Sequence, residues 1–397
     1  MNRSPCLKMG TQLSRLLALG CLLLCQAGHA VHAATPWTPR HDNEIVETLN
    51  PSSKQGDDKA WREFRQQIRL KPDDLALNTR FAWQAIRKAR QDGDPRPLGE
   101  AQGALTRWWS LPNPPREVRL LRATILQSTH HFDEALKDLA VFQQRWPQDL
   151  QATLTHASIL QVQARYTEAQ TLCQGMLAQS PWLARACLAD IQSLTGDAAQ
   201  ALSTLAELNA KAPQEARRSI QLMRAELAER MGQTEMAHKL YLSLLLSDSD
   251  AYVEGAYADF LLDQGRTEEV AQRLDKAQAN DALLLRLAEA NTRLGRPQAK
   301  AQVAELRARF AALKQRGDRV HQREEARFTL RLLNQPQQAL KLARQNWAIQ
   351  KEPADARVLL EAAQAAGDSK AIASVQDFMR SNGWQDTRLQ RWLGSNK

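Results

Sequence analysis

The feature that most limits what this chain can fold into is the regularity of its breaks. Turns centred on His130, Ala164, Gly196, Gly232, Gly265, Gly295, Asn334 and Gly367 follow one another at intervals of 34, 32, 36, 33, 30, 39 and 33 residues. Most of these positions are Gly or Asn, which accept the left-handed backbone at a helix end without the steric cost other residues meet. Between the breaks, apolar residues recur at three- and four-residue spacing, and strand-like alternation is absent. Each interval therefore has room for two short helices joined by a tight turn, and the spacing predicts an all-α chain built from one repeated unit.

Small residues recur in register with the turns. Five residues after a turn stand Ala135, Ala169, Ala201, Ala237, Val270 and Ala339, and seven residues before one stand Ala123, Ala157, Ala189, Ala225, Ala258 and Ala288. Small side chains on both arms let two helix backbones approach closely. Pro147, Pro181 and Pro213 each fall seventeen residues after a turn, where a proline ends the second helix and opens the link to the next pair.

This pattern resembles the tetratricopeptide repeat family. The segment from Leu150 to Pro181 carries it best, with Ala157, Leu160, Tyr166, Ala169 and Pro181 at the family's small, bulky, aromatic, Ala and Pro positions. Phe132, Ala135 and Pro147 repeat it one unit earlier, and the register holds across six units from Glu117 to Ala299. Two departures stand out. The family's first-helix Trp is replaced by Arg119 and Thr153, and the units after Gly295 lose most of the pattern. The resemblance implies a right-handed α/α superhelix of about nine helical pairs, with first helices lining a concave groove in which protein partners lie.

Five segments follow. Residues 1–33 read as an export signal, 34–58 as a flexible N-terminal segment, 59–115 as divergent N-terminal repeat-like helices, 116–299 as the regular repeats, and 300–397 as degenerate repeats with capping helices. In the divergent part, Ala60 to Pro72 reads as a lone second helix, Asp74 to Gly99 as a lengthened first helix that keeps Ala82, and the next helix as ending at Trp108-Trp109. Gln298 to Arg316 reads as a long charged second helix, and Trp384 to Leu393 as a short tail.

The export reading rests on order. Arg3, Lys8 and Arg15 precede the apolar run Leu16 to Cys25, and small residues follow up to Ala34, as in a cleaved secretory signal. Val31 and Ala33 place the cut before Ala34. A competing lipoprotein reading uses Cys21, which follows Gly20. The sequence has a net charge of +9, and loss of the three basic residues of the signal leaves a mild excess of about six. With 43% hydrophobic and 24% charged residues, a predominantly disordered state is excluded. Elsewhere no apolar run approaches the ~18 residues a membrane helix needs. The expected location is the periplasm of a bacterium, with peripheral association to the envelope open.

Catalysis finds no support in the motifs. No histidine pair has the i, i+4 spacing of a helical metal site, no Gly-rich loop follows a strand, and Glu268-Glu269 and Glu324-Glu325 look like solvated faces. His130 and His131 read as turn residues. No enzyme activity, cofactor or metal is expected. After the signal, Cys173 and Cys187 remain, either as a structural disulfide or as two buried thiols.

In the groove that the resemblance implies, one residue after each small Ala would point inward: Thr124, Ser158, Asp190, Glu226, Asp259 and Glu289, with Glu229 and Asp263 near the same row. A row of like charge suits a cationic partner, so a protein or peptide with a basic segment is expected, unless Arg286 and Arg293 neutralise the row internally. The twelve basic residues between Arg286 and Arg331 read as a solvated convex face. They lack the interleaved aromatics of a single-strand binder, so no nucleic acid is expected. The expected function is a periplasmic scaffold or adaptor, with a non-catalytic subunit or tether of an envelope biosynthesis or transport machine as the alternative. N-terminal sequencing of the mature protein should begin at Ala34; an intact Met1 or a lipid on Cys21 would contradict the export reading.

Overall fold

The computed structural model describes residues 55–247, 250–315 and 321–393, together with His41 and Glu44. The expected export signal and nearly all of the segment up to residue 54 lie outside the described residues. Among the described residues there are twenty α-helices, one short 3-10 helix and no strand. A leading helix α1 (Gln55–Leu70) is followed by α2 (Leu75–Asp92), α3 (Arg96–Ala104) and α4 (Thr106–Trp109). The regular pairs are α5 (Arg116–Ser128) with α6 (Phe132–Arg145), α7 (Leu150–Val162) with α8 (Tyr166–Gly175), and α9 (Pro181–Gln192) with α10 (Ala198–Lys211). They continue as α11 (Gln214–Arg230) with α12 (Thr234–Ser247), α13 (Ala251–Asp263) with α14 (Thr267–Leu274), and α15 (Asp281–Arg293) with α16 (Gln298–Gln315). Two last pairs, α17 (Gln322–Arg331) with α18 (Pro336–Ile349) and α19 (Pro353–Ala366) with α20 (Ser369–Asn382), lead to a 3-10 tail, Thr387–Trp392. With α3 and α4 as the second arm of α2, the described residues form an α-solenoid of nine helical pairs.

All eight expected turns have a left-handed residue at the expected position, including the non-glycines His130 (φ 58°), Ala164 (φ 59°) and Asn334 (φ 53°). The turn bonds repeat as well. The amide next after the left-handed residue donates to the carbonyl five residues back in Arg165→Leu160 (2.8 Å), Gln233→Ala228 (2.8 Å), Arg266→Leu261 (2.9 Å) and Asp368→Ala363 (2.8 Å), which satisfies carbonyls the helix would leave bare. A ninth left-handed turn, Gly93 (φ 61°), corrects the N-terminal expectation: the first helix does not run to Gly99 but ends at Asp92, and α3 begins at Arg96. First helices also share a start signal. Asp74, Asp149, Asp250 and Asn280 cap α2, α7, α13 and α15, each side chain accepting a backbone N–H three residues on at 2.9 to 3.0 Å.

The small residues sit where the arms cross. Ala123, Ala157, Ala189, Ala225, Ala258 and Ala288 are fully buried, as are Ala135, Ala169, Ala201, Ala237, Val270 and Ala339. The missing family Trp is replaced by charge: Arg119 lies buried against Asp138 at 3.1 Å, with Arg122 on the same carboxylate at 2.6 Å. Cys173 on α8 and Cys187 on α9 are paired as a disulfide, with Cα atoms 5.8 Å apart, inside the range such a bond requires.

The stack does not stay open. The N-terminal helix α2 packs on α13, and the Asn280 amide donates to the carbonyls of Asp92 (3.0 Å) and Gly93 (3.1 Å). The C-terminal units turn inward. Lys351 N–H donates to the Val162 carbonyl at 2.8 Å, Trp384 Nε1 donates to the Tyr166 hydroxyl at 3.1 Å, and Thr387 Oγ1 donates to the Arg230 carbonyl at 3.0 Å. One continuous hydrophobic cluster accordingly joins Leu154 to Leu227 with Ala326 to Leu389. Replacing Ala189 with Trp should overpack the α9 crossing and destabilise the chain by about 1–3 kcal/mol; a denaturant midpoint equal to the parent's would refute the assigned packing.

Candidate functional site

The first helices carry a concave row of carboxylates: Asp190 on α9, Glu226 and Glu229 on α11, Asp259 and Asp263 on α13, and Glu289 on α15. The repeat makes this row. Asp190, Glu226, Asp259 and Glu289 each follow a small Ala that faces the paired helix, so their side chains turn toward the superhelix axis, and Glu229 and Asp263 lie one helical turn further along the same helices. Thr124 and Ser158, expected at the start of the row, are different. Thr124 is fully buried and its hydroxyl donates to the Leu120 carbonyl at 2.8 Å, while Ser158 is 3% exposed.

The row is met by cations of the chain itself, the internal neutralisation that the sequence left open, and by more arginines than Arg286 and Arg293. Arg323, Arg327 and Arg331 lie four residues apart on one face of α17. Arg327 meets Glu289 at 2.5 Å and Asp259 at 2.7 Å, and Arg331 joins Glu289 (2.9 Å) to Glu361 (2.7 Å). Arg286 also holds Asp259, at 2.5 Å. Arg357 on α19 reaches Asp263 at 2.6 Å, and Arg388 of the tail reaches Glu229 at 2.8 Å. Arg293 contributes less, 4.0 Å from Glu289. The three α17 arginines are therefore not part of a solvated convex face, which corrects that expectation. Charge pairing explains it: a guanidinium fork is the side chain best suited to buried carboxylates.

Between the row and the C-terminal units lies a cavity of about 200 Å³. The carboxylate row beside it differs electrically along its length. Burial pushes Asp259 and Glu289 up, but the guanidinium groups outweigh it: Arg286 and Arg327 hold Asp259 well below the usual carboxylate range, and Arg327 and Arg331 hold Glu289 down to about 2. Asp190 and Glu226 have no such partner. Asp190 accepts one bond from the Gln161 amide at 3.2 Å, and Glu226 accepts the Tyr252 hydroxyl. Burial raises Asp190 to about 6 and Glu226 to about 7, with Arg230 opposing both only through space. Glu229 accepts the Tyr241 hydroxyl at 2.7 Å, and burial raises it despite Arg388.

Several site residues escape a reading of the sequence: Tyr241, Tyr252, Gln161 and Glu352, along with the α17 arginines. The four-residue spacing of Arg323, Arg327 and Arg331 is a visible signal, whereas the tyrosines are indistinguishable from core aromatics by spacing. His130 remains a turn residue, with Nδ1 3.1 Å from Gln350 Nε2 and its ring stacked on Phe132. Among the described residues, no helix is long and apolar enough to cross a membrane.

No protein-family model and no curated protein sequence matches this chain. Solved structures with a similar helical course include a human IFIT1 dimer with m7Gppp-AAAA, at 12% identity and TM-score 0.42, covering 83% of this chain and 87% of that one. The P58(IPK) TPR domain matches at 15% identity and TM-score 0.21, covering 80% and 95%. Naa15/Naa10 bound to HypK-THB matches at 13% identity and TM-score 0.22, covering 86% and 63%.

The two parts of the row set opposite pH dependences. Glu289 is depressed, so its stabilisation is present above its ordinary value of 4.5 and is lost as pH falls toward about 2. Glu226 is raised, so its ionisation opposes folding increasingly as pH climbs from 4.5 to about 7. Glu226→Gln should therefore melt at a higher temperature than the parent at about pH 8 and at nearly the same temperature at about pH 4. A difference independent of pH would contradict the assignment.

Proposed function

We propose that the chain is a non-catalytic protein-interaction scaffold of the periplasm whose concave face is held by its own C-terminal units in the place of a partner. One observation carries the reading: Arg327, Arg331, Arg357 and Arg388 sit on the carboxylate row as the cations of a basic partner segment would. The same row that closes the molecule is then the surface a partner competes for, and such a partner carries a basic segment of its own. The location outside the cytoplasm is supported by the basic, apolar and small-residue order of residues 3–34 and by the pairing of Cys173 with Cys187.

The test places a photocrosslinking side chain at Leu194, which borders the cavity, in the full chain and in an Arg388→Glu variant whose tail is repelled by Glu229. Irradiation in an envelope fraction followed by mass spectrometry should give protein adducts with basic segments, severalfold more from the variant. Melting curves establish that both chains are folded. Adducts from neither chain, or equal adducts from both, would refute the competition.

A further inference from the structure

The cavity has one wall whose charges are not balanced. On the Arg286 side each carboxylate has a guanidinium at contact distance. On the opposite side Asp190, Glu226, Glu324 and Glu352 line the space. Arg323 is shared among Glu324 (3.3 Å), Glu352 (3.2 Å) and the buried Asp355 (3.1 Å). Arg230 directs its Nη2 to the Ser193 hydroxyl at 2.7 Å instead of to a carboxylate, and Lys351 is half-buried among the lining residues. These three cations face more carboxylates than they can neutralise.

A second observation points the same way. Glu324 has a side chain only 9% exposed, and its Oε2 makes no hydrogen bond. A buried carboxylate oxygen without a donor is costly, and Glu324 is among the residues that line the cavity. Between the carboxylates the lining is hydrocarbon: Val162, Leu194, Ala251 and Ala256. Among the described residues no group of three or more His, Cys, Asp or Glu is close enough to hold a metal ion, so the acids are spread out, with apolar surface between them. A point charge does not match that arrangement, and an alkyl chain bearing separated ammonium groups does.

We infer that this wall, with Asp190, Glu226 and Glu324 as acceptors, is a binding site for a small aliphatic diammonium cation. The volume of about 200 Å³ equals roughly six or seven waters at ~30 Å³ each, enough for a four-carbon diamine. An anion would meet surplus negative charge. The charged and titratable groups facing Glu226 are Glu229 and Arg230 on its own helix, Asp190 on α9, Tyr241 on α12, Tyr252 on α13 and Glu352 on α19. Burial holds Glu226 and Asp190 partly protonated near neutrality, so an incoming cation expels protons and binds more tightly as pH rises. The site shares Asp190 and Glu226 with the row of the scaffold reading, but it rests on the cavity wall alone, so failure of the titration below leaves that reading standing.

The test is calorimetric titration of the full chain with 1,4-diaminobutane at low salt and about pH 7.5, in two buffers of different ionisation enthalpy, with 1,4-butanediol and succinate as controls. The expected result is saturable one-to-one binding of the diamine with proton release, no binding of either control, and about tenfold weaker binding at about pH 5. Asp190→Asn and Glu226→Gln should each weaken it by about tenfold or more, with melting curves to establish folding. Absence of saturation with the diamine, equal binding of the diol, or an unchanged affinity in two folded variants would overturn the assignment. Should a variant fail to fold, Glu324→Gln and the parent's pH profile decide between binding at this wall and none.

Discussion

The fold depends on charge placed where water is scarce. Glu289 is 2% exposed and binds two guanidinium groups, Arg327 and Arg331, that are themselves largely buried. From there the ions form a chain: Arg331 to Glu361, Glu361 to Arg357, and Arg357 to Asp263. Four first helices, α13, α15, α17 and α19, are tied by it. Removing one member of such a buried set leaves its partner charged and unpaired, at a cost of about 3–5 kcal/mol. Replacing the whole set by apolar side chains could be neutral, so the network fixes how the last units dock more than it adds raw stability.

An α-solenoid is ordinarily a one-dimensional object in which each unit touches its neighbours alone and stability is a sum of local terms. Here α2 meets α13, and the last units meet α7, α8 and α11 through the Val162 carbonyl, the Tyr166 hydroxyl and the Glu229 carboxylate. These contacts span between 157 and 218 residues where Thr387, Arg388 and Trp384 are concerned. Loss of the tail is then felt in the middle of the array as well as at its end. The mixture of paired and unpaired carboxylates follows from the same geometry. The α17 stripe covers Asp259 and Glu289, and it stops short of Asp190 and Glu226.

The repeat is legible in the sequence because its signals are local. A left-handed turn residue, an Ala at a crossing and a proline after the second helix are each set by a few neighbouring backbone atoms, and all eight turn positions can be read from the chain. Gly93 is hidden from such a reading because the Asp94-Pro95 pair after it opens a short helix instead of a full second arm. The carboxylate row is also readable, since it follows the small residues by one position. What faces the row is not. Arg327 meets a residue 38 positions away and Arg357 one 94 positions away, and nothing in local spacing states which helix face a distant unit will cover. Periodicity describes the units and their stacking, and it is silent on how far the coil winds before it meets itself.

The contact between Gly196 and Gly383 turns that closure into a constraint on length. Both are left-handed, and a Cβ on Gly383 would lie 3.0 Å from the Gly196 Cα, so two hairpin ends touch with no room for a side chain. Open arrays can gain or lose a repeat by duplication or deletion, since any unit fits beside any other. In this chain an extra pair anywhere between residues 196 and 383 would rotate and shift the tail by a full step and carry Gly383, Thr387 and Arg388 off their seats together. The number of units is thereby fixed by how the ends land, much as a ring fixes its number of members, and an open array's usual route to new lengths is closed to it.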